Sequence, residues 1–170
     1  MPRGGRQLTG AGGPLFRLDG QAAIVTGASE GLGRIMSGGL AEAGCDLVLT
    51  ARTADRLTDA AAEITAAGGR AVTVPGDVTD PAHTDALIAA CRASYGRVDG
   101  VVLNAGTATM CPGEAEDIAE FTRVMDVNLT AVMRLASAGA AAMIDAGHGG
   151  WIITMSSILG RRAGTGGGVA

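Results

Sequence analysis

Lysine is absent from this chain of 170 residues; its 13 basic residues are all arginines. Aromatic residues make up 2% of the chain, and the sole tyrosine, Tyr95, falls in a stretch that reads as helix. The three cysteines, Cys45, Cys91 and Cys111, form an odd set without CxxC spacing. That pattern suggests neither a disulfide framework nor a zinc site, so no metal is expected and a reducing, cytoplasmic compartment fits. A formal net charge of -4 and a pI near 5.1 argue against a nucleic-acid partner, which needs a basic face to neutralise phosphates. The opening 14 residues hold two arginines but no apolar stretch long enough for a signal peptide, and no run approaches a membrane span, so no membrane partner is expected.

What remains is a composition of 47% hydrophobic and 18% charged residues, the makeup of one globular domain. Residues 1–14 read as a flexible Gly-rich tail and 15–170 as that domain. Short apolar runs alternate with helical periodicity, the pattern of βαβ units around a mostly parallel sheet. Strands are expected at Ala22 to Thr26, Leu47 to Thr50, Ala71 to Val74, Val98 to Leu103 and Trp151 to Met155. Between them, Leu32, Ile35, Met36, Leu40 and Ala43 mark a first helix, and Leu57, Ala61 and Ile64 a second. Asp80 is placed to cap a third at Pro81, with Leu87, Ile88, Cys91 and Tyr95 as its inner stripe. A longer helix follows, with Phe121, Val124, Met125, Leu129, Val132, Leu135, Met143 and Ile144 along one broad side. Right-handed crossovers then predict a doubly wound α/β Rossmann fold with strand order 3-2-1-4-5.

The pattern GxxxGxG occurs twice, at Gly27, Gly31, Gly33 and at Gly160, Gly164, Gly166. With 28 glycines in the chain, the pattern alone says little. Context separates the copies: the first lies between a buried strand and a helix, where small residues let a pyrophosphate approach the backbone and helix-end N–H groups. The second leads into no helix and reads as a loop.

Thr26-Gly27-Ala28-Ser29-Glu30-Gly31-Leu32-Gly33, then Asp77, Asn104-Ala105-Gly106, Asn128 and the Ser156-Ser157 pair occur in that order from about Leu18 to Gly168. In these motifs the chain resembles the short-chain dehydrogenase/reductase family of the classical type. The resemblance implies that Gly27, Ser29, Gly31, Leu32 and Gly33 line the pyrophosphate and ribose of a nicotinamide cofactor. By the same resemblance Asp77 and Val78 meet the adenine, and Asn104, Ala105 and Gly106 border the cofactor. Asp77 could equally cap a turn before Pro81, and Asn104 could satisfy a strand end. Arg52, after the second strand, sits where NADP-preferring members often carry a base, and an arginine can clamp a 2′-phosphate bidentately. Glu30 opposes that reading if it points inward. NADP(H) is therefore the preferred cofactor, with NAD(H) possible.

The family's chemistry uses a serine, an asparagine and a Tyr-x-x-x-Lys motif whose lysine shifts the phenol toward neutral pH. The resemblance places Ser157 and Asn128 in the first two roles, with Ser156 directed to the opposite face, and puts the tyrosine and lysine just beyond Ala170. The implied function is an oxidoreductase interconverting an alcohol and a ketone by hydride transfer, here as an N-terminal fragment lacking its C-terminal part and inactive alone. A non-catalytic nucleotide-binding module or pseudoenzyme is the alternative. The long helix is similar to one that family members use for homo-oligomers. His83 and His148 read as solvent-exposed, and nothing nearby in sequence sets the pKa of Cys111.

Overall fold

The computed structural model describes residues 9–10, 13–14 and 16–158. In the stretch read as a tail, β1 (Thr9–Gly10) pairs antiparallel with β2 (Gly13–Pro14). The rest of that tail and the second glycine pattern lie outside the described residues.

β3 (Ala22–Thr26), β4 (Asp46–Thr50), β5 (Ala71–Thr73), β6 (Gly100–Leu103) and β7 (Trp151–Thr154) form one parallel sheet in the order β5-β4-β3-β6-β7. This is the doubly wound order expected. All of β3 is buried because helices cover both faces of the sheet, and alternate residues feed opposite cores. Ala22 and Ile24 join Val48, Leu87, Val101 and Leu135 on one side. Ala23 and Val25 join Leu47, Leu49, Leu57 and Ile64 on the other.

α1 (Gly31–Glu42) corrects part of the face read from periodicity: Met36 and Leu40 pack against the core as expected, but the N-terminal turn does not follow. Leu32 and Ile35 stand 61% and 71% exposed, while Gly33 and Ser37 are the buried residues. The helix packs through its small side, and the Ser37 hydroxyl donates to the Gly33 carbonyl at 2.7 Å so that burial leaves it satisfied. α2 (Ala54–Ala66) buries Leu57, Ala60 and Ile64 as an ordinary amphipathic helix. α3 (Pro81–Tyr95) starts where expected: the Asp80 carboxylate accepts the Ala82 N–H at 2.9 Å, and Gly96 ends the helix at φ 76°.

The long helix is composite. α4 (Ile118–Met125) runs into a π-helical turn (Asp126–Thr130) and then α5 (Ala131–Asp145). Val124, Leu135 and Met143 face inward, but Phe121, Leu129 and Ile144 are exposed, contrary to the single broad stripe expected. The π turn rotates the faces of the two halves relative to each other, so one 3.6-residue pattern cannot describe both. By length and composition the span Ile118–Asp145 is also apolar enough to cross a membrane, which the sequence reading did not see. Its inner side packs on β6 and α3 as a core layer of the domain.

At the amino edge of the sheet, Asp99 staples β3 to β6. Its carboxylate accepts the Ala22 N–H at 2.8 Å and two Arg97 guanidinium bonds at 2.6 and 2.5 Å. Burial pushes this carboxyl up, but the bonds from Arg97 and Ala22 outweigh it and hold Asp99 below its ordinary value.

Candidate functional site

The carboxyl ends of the central strands converge on a cleft of about 270 Å³. The turn after β3 contributes Gly27, Ser29 and Glu30; β4 leads into Ala51, Arg52 and Thr53. The turn after β5 adds Gly76, Asp77 and Val78, and β6 ends in Asn104, Ala105 and Gly106. The cleft thus opens between β3 and β6, where the chain switches from one side of the sheet to the other, the usual ligand crevice of an open α/β sheet.

Its floor is latched. The buried Thr26 hydroxyl accepts the N–H groups of Asn104 and Ala105, each at 2.9 Å. In return the Asn104 amide donates to the carbonyls of Thr26 at 3.1 Å and Gly27 at 3.3 Å. Asn104 therefore satisfies a strand end and lines the cleft at once. Gly27 takes φ 65°, and a Cβ on Gly33 would overlap the Gly27 carbonyl and the Asn104 amide. Only glycine lets α1 come this close to the turn. Gly33 thus acts by close packing, and neither it nor Gly31 lines the cleft; Leu32 lines its neighbour instead.

Charge on the cleft is arranged by pairs. Asp77 accepts the N–H and hydroxyl of Thr79 at 2.9 and 2.8 Å, which hold its carboxyl below the ordinary value, with nearby Arg52 adding to the effect. Asp77 caps its turn while also lining the cleft. Glu30 forms an ion pair with Arg56 of α2, and its side chain makes no cap on α1. The first-turn amides of α1 are thus uncapped by a side chain, the arrangement that favours an anion. Arg123 also reaches this cleft, donating to the Thr107 hydroxyl at 3.1 Å and to Glu120 at 2.8 Å. Sequence reasoning missed Arg123 and Arg56. Arg56 follows Arg52 by one helical turn, a spacing that could have signalled it, whereas Arg123 is brought in by the path of the loop after β6.

A second cleft, about 550 Å³, adjoins the first through Asn104 to Thr107 and is completed by Leu32, Asn128, Val132, Met155, Ser156 and Ser157. Asn128 lies on the π turn, and its amide pairs at both ends with one residue: Oδ1 accepts the Thr107 N–H at 2.9 Å and Nδ2 donates to the Thr107 carbonyl at 2.7 Å. Ser157 lines the cleft. So does Ser156, which the alternation rule directed to the other face; β7 ends at Thr154, and alternation does not extend past a strand.

The remaining polar candidates sort by burial. His83 is 8% exposed, not solvated, and shares a 2.8 Å hydrogen bond between Nε2 and the Thr50 hydroxyl. Burial lowers its pKa against the opposing pull of Asp80 and Asp77. His148 is partly exposed, with Nδ1 3.7 Å from the Asp99 carboxylate. The Tyr95 hydroxyl donates to the Leu47 carbonyl at 2.9 Å, beside the start of β4, and burial pushes it up to about 12. Cys111 has a neighbour that the sequence did not reveal: its thiol donates to Glu116 at 2.7 Å, which raises its pKa. Among the described residues no cluster of His, Cys, Asp and Glu suits a metal ion.

The profile of the short chain dehydrogenase family matches residues 21–169. Among curated proteins the chain is 40% identical over 148 residues to a (5R,7aS)-5-hydroxy-7a-methyl-1-oxo-2,3,5,6,7,7a-hexahydro-1H-indene-carboxyl-CoA reductase of Mycobacterium tuberculosis, covering 86% of this chain and 56% of that one. It is 38% identical to an L-rhamnose 1-dehydrogenase (NAD(P)(+)) of a Sphingomonas species, covering 83% and 56%. The chain thus spans little more than half the length of these curated relatives. A crystal structure of a metagenomic short-chain oxidoreductase in complex with NADP superposes with a TM-score of 0.81 at 38% identity, over 88% of this chain and 68% of that one.

Proposed function

This chain belongs to the short-chain dehydrogenase family, and from that premise we propose that it forms the cofactor-binding part of an NAD(P)(H)-dependent oxidoreductase that interconverts an alcohol and a ketone. The observation that carries this reading is the latched cleft at the β3/β6 switch, with Gly27, Ser29, Asp77 and Asn104 on its walls. A nicotinamide cofactor bound there supplies or accepts the hydride. Gly33 lets α1 pack tightly on the Gly27 turn, which brings its uncapped first-turn amides toward the pyrophosphate, and Asp77 with Val78 borders the adenine.

NADP(H) is the preferred form. Arg52 lines the adenine side, and the carboxylate of Glu30, which would otherwise repel a 2′-phosphate, is held by Arg56. The L-rhamnose dehydrogenase relative and the NADP-bound metagenomic enzyme support the same cofactor class.

In the second cleft Ser157 orients the substrate oxygen by a hydrogen bond, and Asn128 fixes the loop that joins the two clefts. Tyr95 is not the proton donor, since its hydroxyl is committed to Leu47 and its pKa lies far above neutral. With no lysine present, these 170 residues are expected to bind nucleotide without turnover. The domain works in the cytoplasm, on a small-molecule alcohol or ketone, as a homo-oligomer that packs through the exposed apolar side of α5.

Calorimetric titration of the protein at its natural full length with NADP+ and NAD+ tests this. Saturable binding, tighter for NADP+, is expected, together with NADPH oxidation on a carbonyl panel. Binding without turnover would favour a nucleotide-binding module, and no binding of either dinucleotide would sink the reading.

A further inference from the structure

We propose that His83 is a positioning residue for the adenine end of the first cleft, a role that rests on the nucleotide-binding reading above. The imidazole comes from the first turn of α3, yet it sits beneath two loops that belong to other strands. Its Nε2 shares the 2.8 Å hydrogen bond with Thr50, the fully buried last residue of β4. Its other edge lies against Gly76 so closely that any Cβ there would overlap the ring.

Both contacts lead directly to the cleft. Arg52 lies two residues beyond Thr50, and Asp77 lies one beyond Gly76; each lines the cleft wall. The two loops are also tied to each other, since the Gly76 N–H donates to the Ala51 carbonyl at 3.1 Å. Thr50 carries the glycine turn as well, its carbonyl accepting the Ala28 N–H at 3.1 Å. One ring thus braces the loops that present Arg52 and Asp77, and the Asp80 cap on α3 fixes where that ring stands.

The chemistry suits a brace rather than a proton carrier. Asp77 and Asp80 favour its charged form, but burial dominates and lowers its pKa below the ordinary histidine value, which favours the neutral ring. Neutral imidazole supplies a flat surface against Gly76 and one directional bond to Thr50, and removing that bond leaves a buried hydroxyl to find another partner. A leucine would fill the volume but not the bond. A glutamine amide can restore it.

Isothermal titration of the full-length protein with adenosine 2′,5′-bisphosphate and with NADP+ tests the assignment. His83→Leu is expected to weaken both about tenfold, to raise KM for NADPH by a similar factor and to leave kcat unchanged. His83→Gln should recover affinity to within about threefold of the parent. Thr50→Val, which removes the other half of the bond, should weaken binding while adding little to His83→Leu in the double variant. A folded His83→Leu protein that binds as the parent does would overturn the proposal alone, as would a Thr50→Val effect fully additive to it. A parent that binds neither adenosine 2′,5′-bisphosphate nor NADP+ would overturn the nucleotide reading and this one with it.

Discussion

The first cleft sits at the ends of the buried strands β3, β4 and β6, and its turns are tied by hydrogen bonds from Thr26, Asn104 and His83. The second leans on β7, whose Ile152 and Ile153 stand 39% and 44% exposed, and on the irregular segment that follows it. One is a rigid socket built from backbone positions that many sequences could supply. The other draws Ser156 and Ser157 from chain beyond a strand end, where no ladder fixes their direction.

The contrast would break most visibly at Ser157. Ser157→Ala should lower kcat of the full-length protein about 10²- to 10³-fold, the usual effect of losing one donor to a developing oxyanion, with the calorimetric Kd for NADP+ unchanged. Ser156→Ala should cost less than about tenfold, and an equal loss in both variants would show that the two serines share the role. On the rigid side, Thr26→Val keeps the side-chain shape but leaves two part-buried N–H groups without their acceptor, so urea unfolding should show a loss of about 1–3 kcal/mol. Thr26→Ser should recover most of it; full stability of the valine variant would refute the latch.

A smaller effect tests whether rigidity extends to the opposite edge of the sheet. Asp99 is held below its ordinary pKa, so it binds fewer protons folded than unfolded, and its stabilisation is complete above about pH 4 and is lost as pH falls through the lowered value. Asp99→Asn should therefore destabilise the protein by about 1–3 kcal/mol at pH 7 and flatten the acid limb of the stability curve; an unchanged limb would assign that titration elsewhere. The smallest effect concerns the solvent-exposed Glu30–Arg56 pair. Arg56→Ala should weaken NADP+ binding about threefold relative to NAD+, Glu30→Gln should shift the ratio the opposite way, and both shifts should shrink in high salt.

The same contrast explains which residues could be read before the structure. Gly27, Ser29, Arg52, Asp77 and Asn104 follow strand ends, and a strand end in a parallel sheet points its loop at one edge, so their meeting in one cleft was legible. His83 and Arg123 were not, because each comes from a helix: His83 acts on the cleft through Thr50 and Gly76, and Arg123 is turned into it by the packing of α4 beside Thr107. The misread face of α1 has a related cause. Periodicity weighs Leu32 and Ile35 as core, but the sheet meets this helix where Gly33 and Ser37 allow the closest approach.

By itself, then, the chain's alternation of apolar runs and helical spacing determined the strand order and the place of the glycine turn, while the ordered motifs from Thr26 to Ser157 carried the resemblance to the family. These are properties of local period and order, which a linear sequence carries directly. The tertiary structure decided which side of each helix is buried, that Asn128 bonds the Thr107 backbone from a π turn, and that a histidine beneath Gly76 is structural rather than solvated. Those depend on distances between segments 20 to 80 residues apart, and such distances exist only once the sheet has closed around its two cores.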